Sequence, residues 1–230
     1  MEAALDLPPL LRGHATDAAP LAEAVRLAAE GADPGTFVHR AGDDRAEAAL
    51  ILAPEVPLAD AMAAVLAAGC GFLDAFGALA PSEVAAEIEW PGTLRINGAV
   101  AGRIEAAAST TDPNEEPDRL VVALTVAMRL PDGAEPGADP GRTALAEEGC
   151  ADMAPSRLLA AWARHTTYWL HDWATDGIAA AHRHWTARAW GIGTEGPEGT
   201  PLGLDERGGL LLKSGGTTRV RPLTTMLRDG

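Results

Sequence analysis

The stretch Ile88-Glu-Trp-Pro-Gly-Thr-Leu-Arg-Ile-Asn-Gly-Ala-Val-Ala-Gly-Arg-Ile-Glu105 sets the expectation for the fold. Leu94 and Ile96 alternate into Asn97-Gly98, and Val100, Gly102 and Ile104 alternate out of it. Asn-Gly best tolerates the positive φ angles of a two-residue type I′ turn, so the stretch reads as a β-hairpin. If the turn pairs Ile96 with Ala99, then Leu94, Ile96, Ala99, Ala101 and Arg103 share a face. Arg103 then stands about 13 Å along the strand from Ala99, at roughly 3.3 Å per residue.

Upstream, the segment from Thr16-Asp17 to Gly31 reads as a capped helix with Leu21, Ala24, Val25 and Ala28 on one stripe. Thr36 to His39 and Ala48 to Leu52 read as strands on either side of a polar, exposed connection from Arg40 to Glu47. Between Leu58 and Leu79 the residues Leu58, Met62, Val65, Leu66, Phe72, Leu73 and Phe76 recur at helical spacing, the pattern of an amphipathic helix laid on a sheet.

Downstream, Arg119 to Leu130 is aliphatic on both faces, as a strand covered on both sides would be. Pro131 to Gly141 breaks it with three prolines and three glycines. Pro155 to Ala189 is a helix pair divided at Asp176-Gly177, and its tryptophans Trp162, Trp169, Trp173 and Trp185 read as core or interface packing ahead of an aromatic ligand box. Pro201 to Pro222, with turns at Asp205 to Gly209 and at Ser214 to Gly216, reads as a three-strand meander. The organisation expected is a main domain over residues 1–190 and a small β domain over 191–230.

A formal charge of −15 argues against nucleic acid or an anionic membrane as partner, because phosphates are repelled by the bulk field. Acidic ligands would need local cations, and Lys213 is the sole lysine, so arginine must supply them. Cys70 and Cys150 form neither a disulfide framework nor a zinc pattern, which suits a reducing, cytoplasmic compartment. The start Met1-Glu-Ala-Ala-Leu-Asp lacks a signal peptide's basic and apolar regions, and no later run reads as the roughly 20 apolar residues of a membrane span.

The hairpin residues Trp90-Pro91 and Ala101-Gly102 resemble the central motif of biotin protein ligases, where a Lys-Trp-Pro-Asn-Asp strand and a Lys-x-Ala-Gly return strand floor the biotinyl-adenylate site. Gly203-Leu-Asp205 and Gly209-Leu-Leu-Leu212 are similar to the Gly-Ile-Asp and Gly-x-Leu-Leu-Leu of the SH3-like barrel that closes many of these enzymes. The resemblance runs in order from about Thr16 to Arg221. It implies an α+β fold of the class II synthetase-like, biotin protein ligase-like kind: a mixed sheet packed by helices, plus a small C-terminal SH3-like β-barrel.

It also implies ATP-dependent activation of biotin, lipoate or octanoate, and transfer of the acyl group to a lysine on a carrier protein. The chain departs from the pattern where the chemistry sits. The family's first lysine is Glu89, its Asn-Asp pair is Gly92-Thr93, its second lysine is Ala99, and its Gly- and Arg-rich phosphate loop corresponds to His39-Arg-Ala-Gly-Asp-Asp-Arg45. The expectation is a protein that binds a small acyl or adenylate-type ligand with reduced or no ligase activity. The alternative is an active divergent ligase with arginines in place of lysines, in which case biotin and ATP are its cofactors. The candidate ligand-binding residues are Arg40, Arg45, Trp90, Gly92, Ala99, Gly102 and Arg103, and a homodimer is left open.

Arg103 has a second reading, as a charge paired with Glu89 or Glu105. His165 and Asp172 fall on similar faces of one helix, but His182 and His184, two residues apart, point in different directions, and no metal is expected. Cys150 sits in Glu147-Glu-Gly-Cys-Ala-Asp152, an acidic setting that raises a thiol pKa, so it reads as a packed cysteine ahead of a nucleophile.

Overall fold

A computed structural model describes residues 5–131, 133–135 and 137–228. The chain begins with β1 (Arg12–Ala15), α1 (Pro20–Ala29), β2 (Thr36–Ala41) and β3 (Arg45–Leu52). There follow α2 (Leu58–Ala61), α3 (Ala63–Leu79), β4 (Ala86–Glu89), β5 (Thr93–Ile96), β6 (Ala99–Ala108) and β7 (Leu120–Ala127). A 3₁₀ turn (Leu145–Glu148), α4 (Pro155–Asp176) and α5 (Ala179–Thr186) precede β8 (Thr200–Leu204), β9 (Leu210–Ser214), β10 (Thr217–Arg221) and a last 3₁₀ turn (Leu223–Met226).

β1 to β7 make one mixed sheet in the order β1-β2-β3-β7-β6-β5-β4, and β8 to β10 make a separate three-stranded antiparallel sheet. β1 is parallel to β2, and the other neighbours in the large sheet are antiparallel. The α+β architecture matches the expectation.

The two faces of the large sheet are covered unequally. On one, Ala24 and Ala28 of α1 pack on Val38, Ala49, Ile51, Val121 and Ala123. On the other, Ile104, Val122 and Leu124 of β6 and β7 meet α3, while α4 lies beside α3 and covers β2 and β3, where Phe37 meets Trp162 at 5.8 Å between ring centres. Phe72, Phe76 and Trp162 are at most 1% exposed, each contributing about 2–3 kcal/mol of burial. Trp185 and Trp169 are also buried, so most of the tryptophan group packs in the core; Trp162 additionally donates its indole N–H to the Ala68 carbonyl at 3.0 Å.

Several expectations shift. The expected amphipathic helix is two helices meeting at Met62, and α3 is buried nearly all round because α4 and α5 pack on it in addition to the sheet. Leu58–Leu79 is in fact long and apolar enough to cross a membrane by length and composition, with 78% of its most apolar window buried inside the molecule; the interior location accounts for the apolar run. α1 begins at Pro20 with no side-chain cap, and Thr16 instead accepts the Ala18 N–H in a local turn.

The connection read as exposed from Arg40 to Glu47 is mostly strand. Arg40 pairs with Glu47 and Ala41 with Ala46, which leaves Gly42-Asp43-Asp44 as the turn. The Asn97-Gly98 turn forms as read, with φ of 48° and 87°.

Candidate functional site

Five residues lie in one row across the face that carries α1. Arg40 on β2 pairs with Glu47 on β3, Glu47 with Thr125 on β7, Thr125 with Arg103 on β6, and Arg103 with Thr93 on β5. Register partners project to the same side, so the row is a polar strip over an otherwise apolar floor. On the same face, Ala49, Ala123 and Glu105 form the next rung.

A β-bulge decides what reaches this face. Leu94 pairs with Gly102 but Arg95 pairs with Val100, so the extra residue on β6 is Ala101. The extra residue reverses the alternation, and the expectation that Leu94, Ile96 and Arg103 share a face is corrected. Leu94, Ile96 and Ala101 join the core under α3, while Thr93 and Arg103 face the other way.

Three clefts surround Arg103. One of about 400 Å³ runs along α1 past Pro20, Leu21, Glu47, Glu105 and Ala123. One of about 330 Å³ lies behind Gly92 and is closed by Thr225 and Arg228. The third, about 200 Å³, is walled by Arg45, Arg103 and Arg142 with Thr93, Thr125 and Thr143, and has no carboxylate in its wall among the described residues. Three guanidinium groups beside three hydroxyls make a local anion-attracting pocket on a protein of net charge −15.

The arginines differ in how they are held. Arg40 places Nε 2.7 Å from the Glu47 carboxylate and a terminal nitrogen 2.9 Å from the Asp17 carbonyl, so it is committed to the scaffold. The second reading of Arg103 holds through Glu105: Arg103 Nε lies 2.5 Å from one Glu105 oxygen, and Arg228 Nε lies 3.0 Å from the other. Among the described residues, Glu105 engages only the Nε of each. Arg45 has a loose contact at 3.8 Å with Asp44, and Arg142 has no ion pair among the described residues.

Arg142 arrives because Gly141 to Thr143 runs alongside β6: Val100 N–H donates to the Gly141 carbonyl at 2.9 Å, and Thr143 N–H donates to that of Val100 at 2.9 Å. Glu148 fixes this segment to the hairpin tip, accepting from Thr143 at 2.6 Å and from the Asn97 amide at 2.7 Å.

Of the residues read from the sequence, Arg45, Gly92, Gly102 and Arg103 come together at the clefts, and Arg40 stands at the end of the row. Both glycines have a packing reason. A Cβ on Gly102 would lie 2.3 Å from the Thr125 carbonyl oxygen, and one on Gly92 would lie 2.8 Å from that of Ile104.

Trp90 and Ala99 are elsewhere. Trp90 faces the small sheet, donating its indole N–H to the Gly208 carbonyl at 3.0 Å, with Arg221 stacked 5.8 Å from the ring centre. Ala99 ends the hairpin opposite Ile96 and lines none of the three clefts. Glu47, Thr125, Arg142 and Arg228 were not anticipated, whereas Glu105 was read as a partner of Arg103 and Thr93 only as a departure from the family motif. Glu47 and Thr125 had a signal, as polar residues within aliphatic strands. Arg142 and Arg228 had none, since a loop and the chain end bring them in.

Lys213 is exposed on β9, paired in register with Thr200 and Thr218, away from these clefts. Burial first, and then Glu148 and Glu83, push the Cys150 thiol up, so it is not poised as a nucleophile. His184 and His165 meet Asp74 at 3.0 and 4.0 Å, while His182 turns to the Leu204 carbonyl at 3.4 Å. Among the described residues no group of three or more His, Cys, Asp or Glu side chains is placed to hold a metal ion.

This sheet and its helices are those of a known family. The profile of the Biotin/lipoate A/B protein ligase family matches residues 7–187, and the chain belongs to that family. Among solved structures, the chain is 45% identical to a biotin protein ligase-like protein of unknown function from Silicibacter sp. TM1040, with a TM-score of 0.91 over 98% of this chain and 100% of that one. The biotin protein ligase of Aquifex aeolicus superposes with a TM-score of 0.70 at 16% identity over 92% of each chain. The same enzyme in complex with biotin and ATP gives 0.65 at 17% identity, over 91% of this chain and 93% of that one, a likeness of fold. Comparison by sequence with curated proteins gives no match.

Proposed function

We propose that this family member binds a small acyl or adenylate-type ligand at the Arg103 clefts and has reduced or no ligase activity. The supporting observation is the pocket walled by Arg45, Arg103 and Arg142 with no carboxylate among the described residues of its wall, which suits a carboxylate or a single phosphoryl group. A polyphosphate fits less well. The β2–β3 connection is three residues long and two of them are Asp43 and Asp44, so like charges would oppose ATP where the family resemblance puts a cationic loop.

In such a site the residues have distinct tasks. Arg103 and Arg142 neutralise the ligand's anionic group, Thr93 and Thr125 accept or donate beside it, and Glu105 with Arg228 orients Arg103. When bound, ATP would supply an adenylate leaving group; the chain's contribution would be charge neutralisation by arginine, since its only lysine lies outside the clefts. The place of action in this reading is the cytoplasm, and a lysine-bearing carrier domain is the macromolecular partner if transfer occurs.

Pyrophosphate exchange with biotin, lipoate and octanoate is the test, run beside thermal shift. The expected result is no exchange above the blank, with a rise in Tm for at least one of the acids that Arg103→Ala removes. Robust exchange would establish the other reading, an active ligase with arginines in the lysines' place, which the three-arginine pocket also favours.

A further inference from the structure

The three arginines of the 200 Å³ pocket reach it by different routes. Arg45 and Arg103 stand on β3 and β6, which both pair with β7. Arg142 is exposed and lies outside the strands, and among the described residues its guanidinium has no hydrogen bond or ion pair to hold it. Its backbone sets its place. The bonds of Gly141 and Thr143 to Val100 lay this run alongside β6. Asp139 accepts the Gly141 N–H through its carboxylate at 3.0 Å and the Arg142 N–H through its carbonyl at 3.1 Å.

One side chain ties the run to the rest of the molecule. Glu148 accepts from the Thr143 hydroxyl with one carboxylate oxygen and from the Asn97 amide with the other, at 2.6 and 2.7 Å. Both partners are themselves held. Thr143 is 8% exposed, and Asn97 is bound twice to Ala85: it accepts the Ala85 N–H on its side-chain oxygen at 3.0 Å and donates its own N–H to the Ala85 carbonyl at 2.9 Å. Glu148 ends a 3₁₀ turn whose Leu145 is fully buried and whose Ala146 N–H donates to the Met128 carbonyl at 3.0 Å. With a neutral donor on each oxygen, the carboxylate makes no ion pair with Arg142 among the described residues, and that arginine keeps its charge for the pocket.

We propose that Glu148 is a positioning residue for the anion pocket: through Thr143 it sets Arg142 toward the ligand's anionic group, with the hairpin tip at Asn97 as its fixed point. This role rests on the Arg103 clefts being a ligand site, and its sign is opposite to that of simple electrostatics. A carboxylate near an anion site repels the ligand, so removal of its charge alone would tighten binding. Loss of a positioning contact weakens it.

Titration calorimetry of the full chain with octanoate and with inorganic phosphate separates the two, with thermal melts to verify that each variant is folded. Arg142→Ala and Glu148→Ala are each expected to weaken the bound probe by about five- to tenfold, the effect of one charge-assisted contact. In the Arg142→Ala background Glu148→Ala should have no further effect, because its action passes through that arginine. Asn97→Asp keeps the turn and the Ala85 contact but sets a second carboxylate against Glu148, and it should weaken binding to a similar degree. Adding Glu148→Gln supplies an amide donor to the new carboxylate and should restore affinity to within about twofold of wild type, a test that stands even where Glu148→Ala does not fold. If Glu148→Ala leaves affinity unchanged or raises it, or weakens binding equally with and without Arg142, or if the double variant restores nothing, the positioning role is rejected while the Arg103 site stands. If neither probe binds, or Arg103→Ala leaves both affinities unchanged, the Arg103 reading fails and takes the positioning role with it.

Discussion

Arg40 and Glu47 face each other across β2 and β3, and the guanidinium that neutralises Glu47 also holds the Asp17 carbonyl at the entry to α1. Residue 47 is 7% exposed, so its charge depends on this partner. Because the pair occupies the end of the polar row, it anchors α1 over the clefts instead of presenting a free cation to a ligand.

Removing one partner should therefore cost more than removing both. Arg40→Ala leaves a buried carboxylate uncompensated and is expected to lower stability by about 2–3 kcal/mol, below the range for a fully buried pair because Arg40 is partly solvated. Arg40→Met with Glu47→Leu should recover most of it, as urea unfolding curves of the three variants will show.

Two glycine-to-alanine changes should move stability in opposite directions. Gly102→Ala drives a methyl to within 2.3 Å of the Thr125 carbonyl, so β6 must leave β7, at a cost of about 3 kcal/mol or more. Gly77 is exposed on α3, and a methyl added there would have nothing within 4 Å of it, so Gly77→Ala should gain about 0.5–1 kcal/mol by helix propensity. Thermal melts of both proteins are sufficient to compare them.

The buried thiol of Cys70 gives a pH dependence of defined sign. Burial, and secondarily Asp74, push this thiol up, so the folded chain keeps its proton where the unfolded chain loses it. Stability from this group is complete below about pH 8.5 and declines above it, by at most about 1.4 kcal/mol per pH unit. Cys70→Ala should flatten the decline between about pH 8.5 and 10 in urea titrations; an unchanged slope would assign it to other groups.

Trp90 is expected to matter for the small sheet and not for ligand. Trp90→Phe forfeits the bond to the Gly208 carbonyl at about 1 kcal/mol, and Trp90→Ala loses about 2–3 kcal/mol with its half-buried contacts. Octanoate affinity should stay within twofold of wild type in Trp90→Phe, measured by calorimetry.

Much of the fold was legible in local pattern. Asn97-Gly98 fixes a turn because few residues tolerate its backbone angles, and the aliphatic run of β7 declares a strand covered on both faces. Gly177 divides the last helix pair as read, with φ of 80°. The short β1 was not legible, since its four residues are largely exposed and held by pairing with β2.

The site was legible only in part, because its members meet through pairing between distant strands. The sequence by itself determined the hairpin, the family likeness, the scarcity of lysine and the value of Arg103 as a cation. Tertiary structure alone decided which way Arg103 points, since one extra residue at Ala101 reverses the alternation that a regular strand would impose. It also decided that Glu47, Thr125, Arg142 and Arg228 join that arginine while Trp90 and Ala99 do not, because strand register and the returning chain end are set by long-range packing.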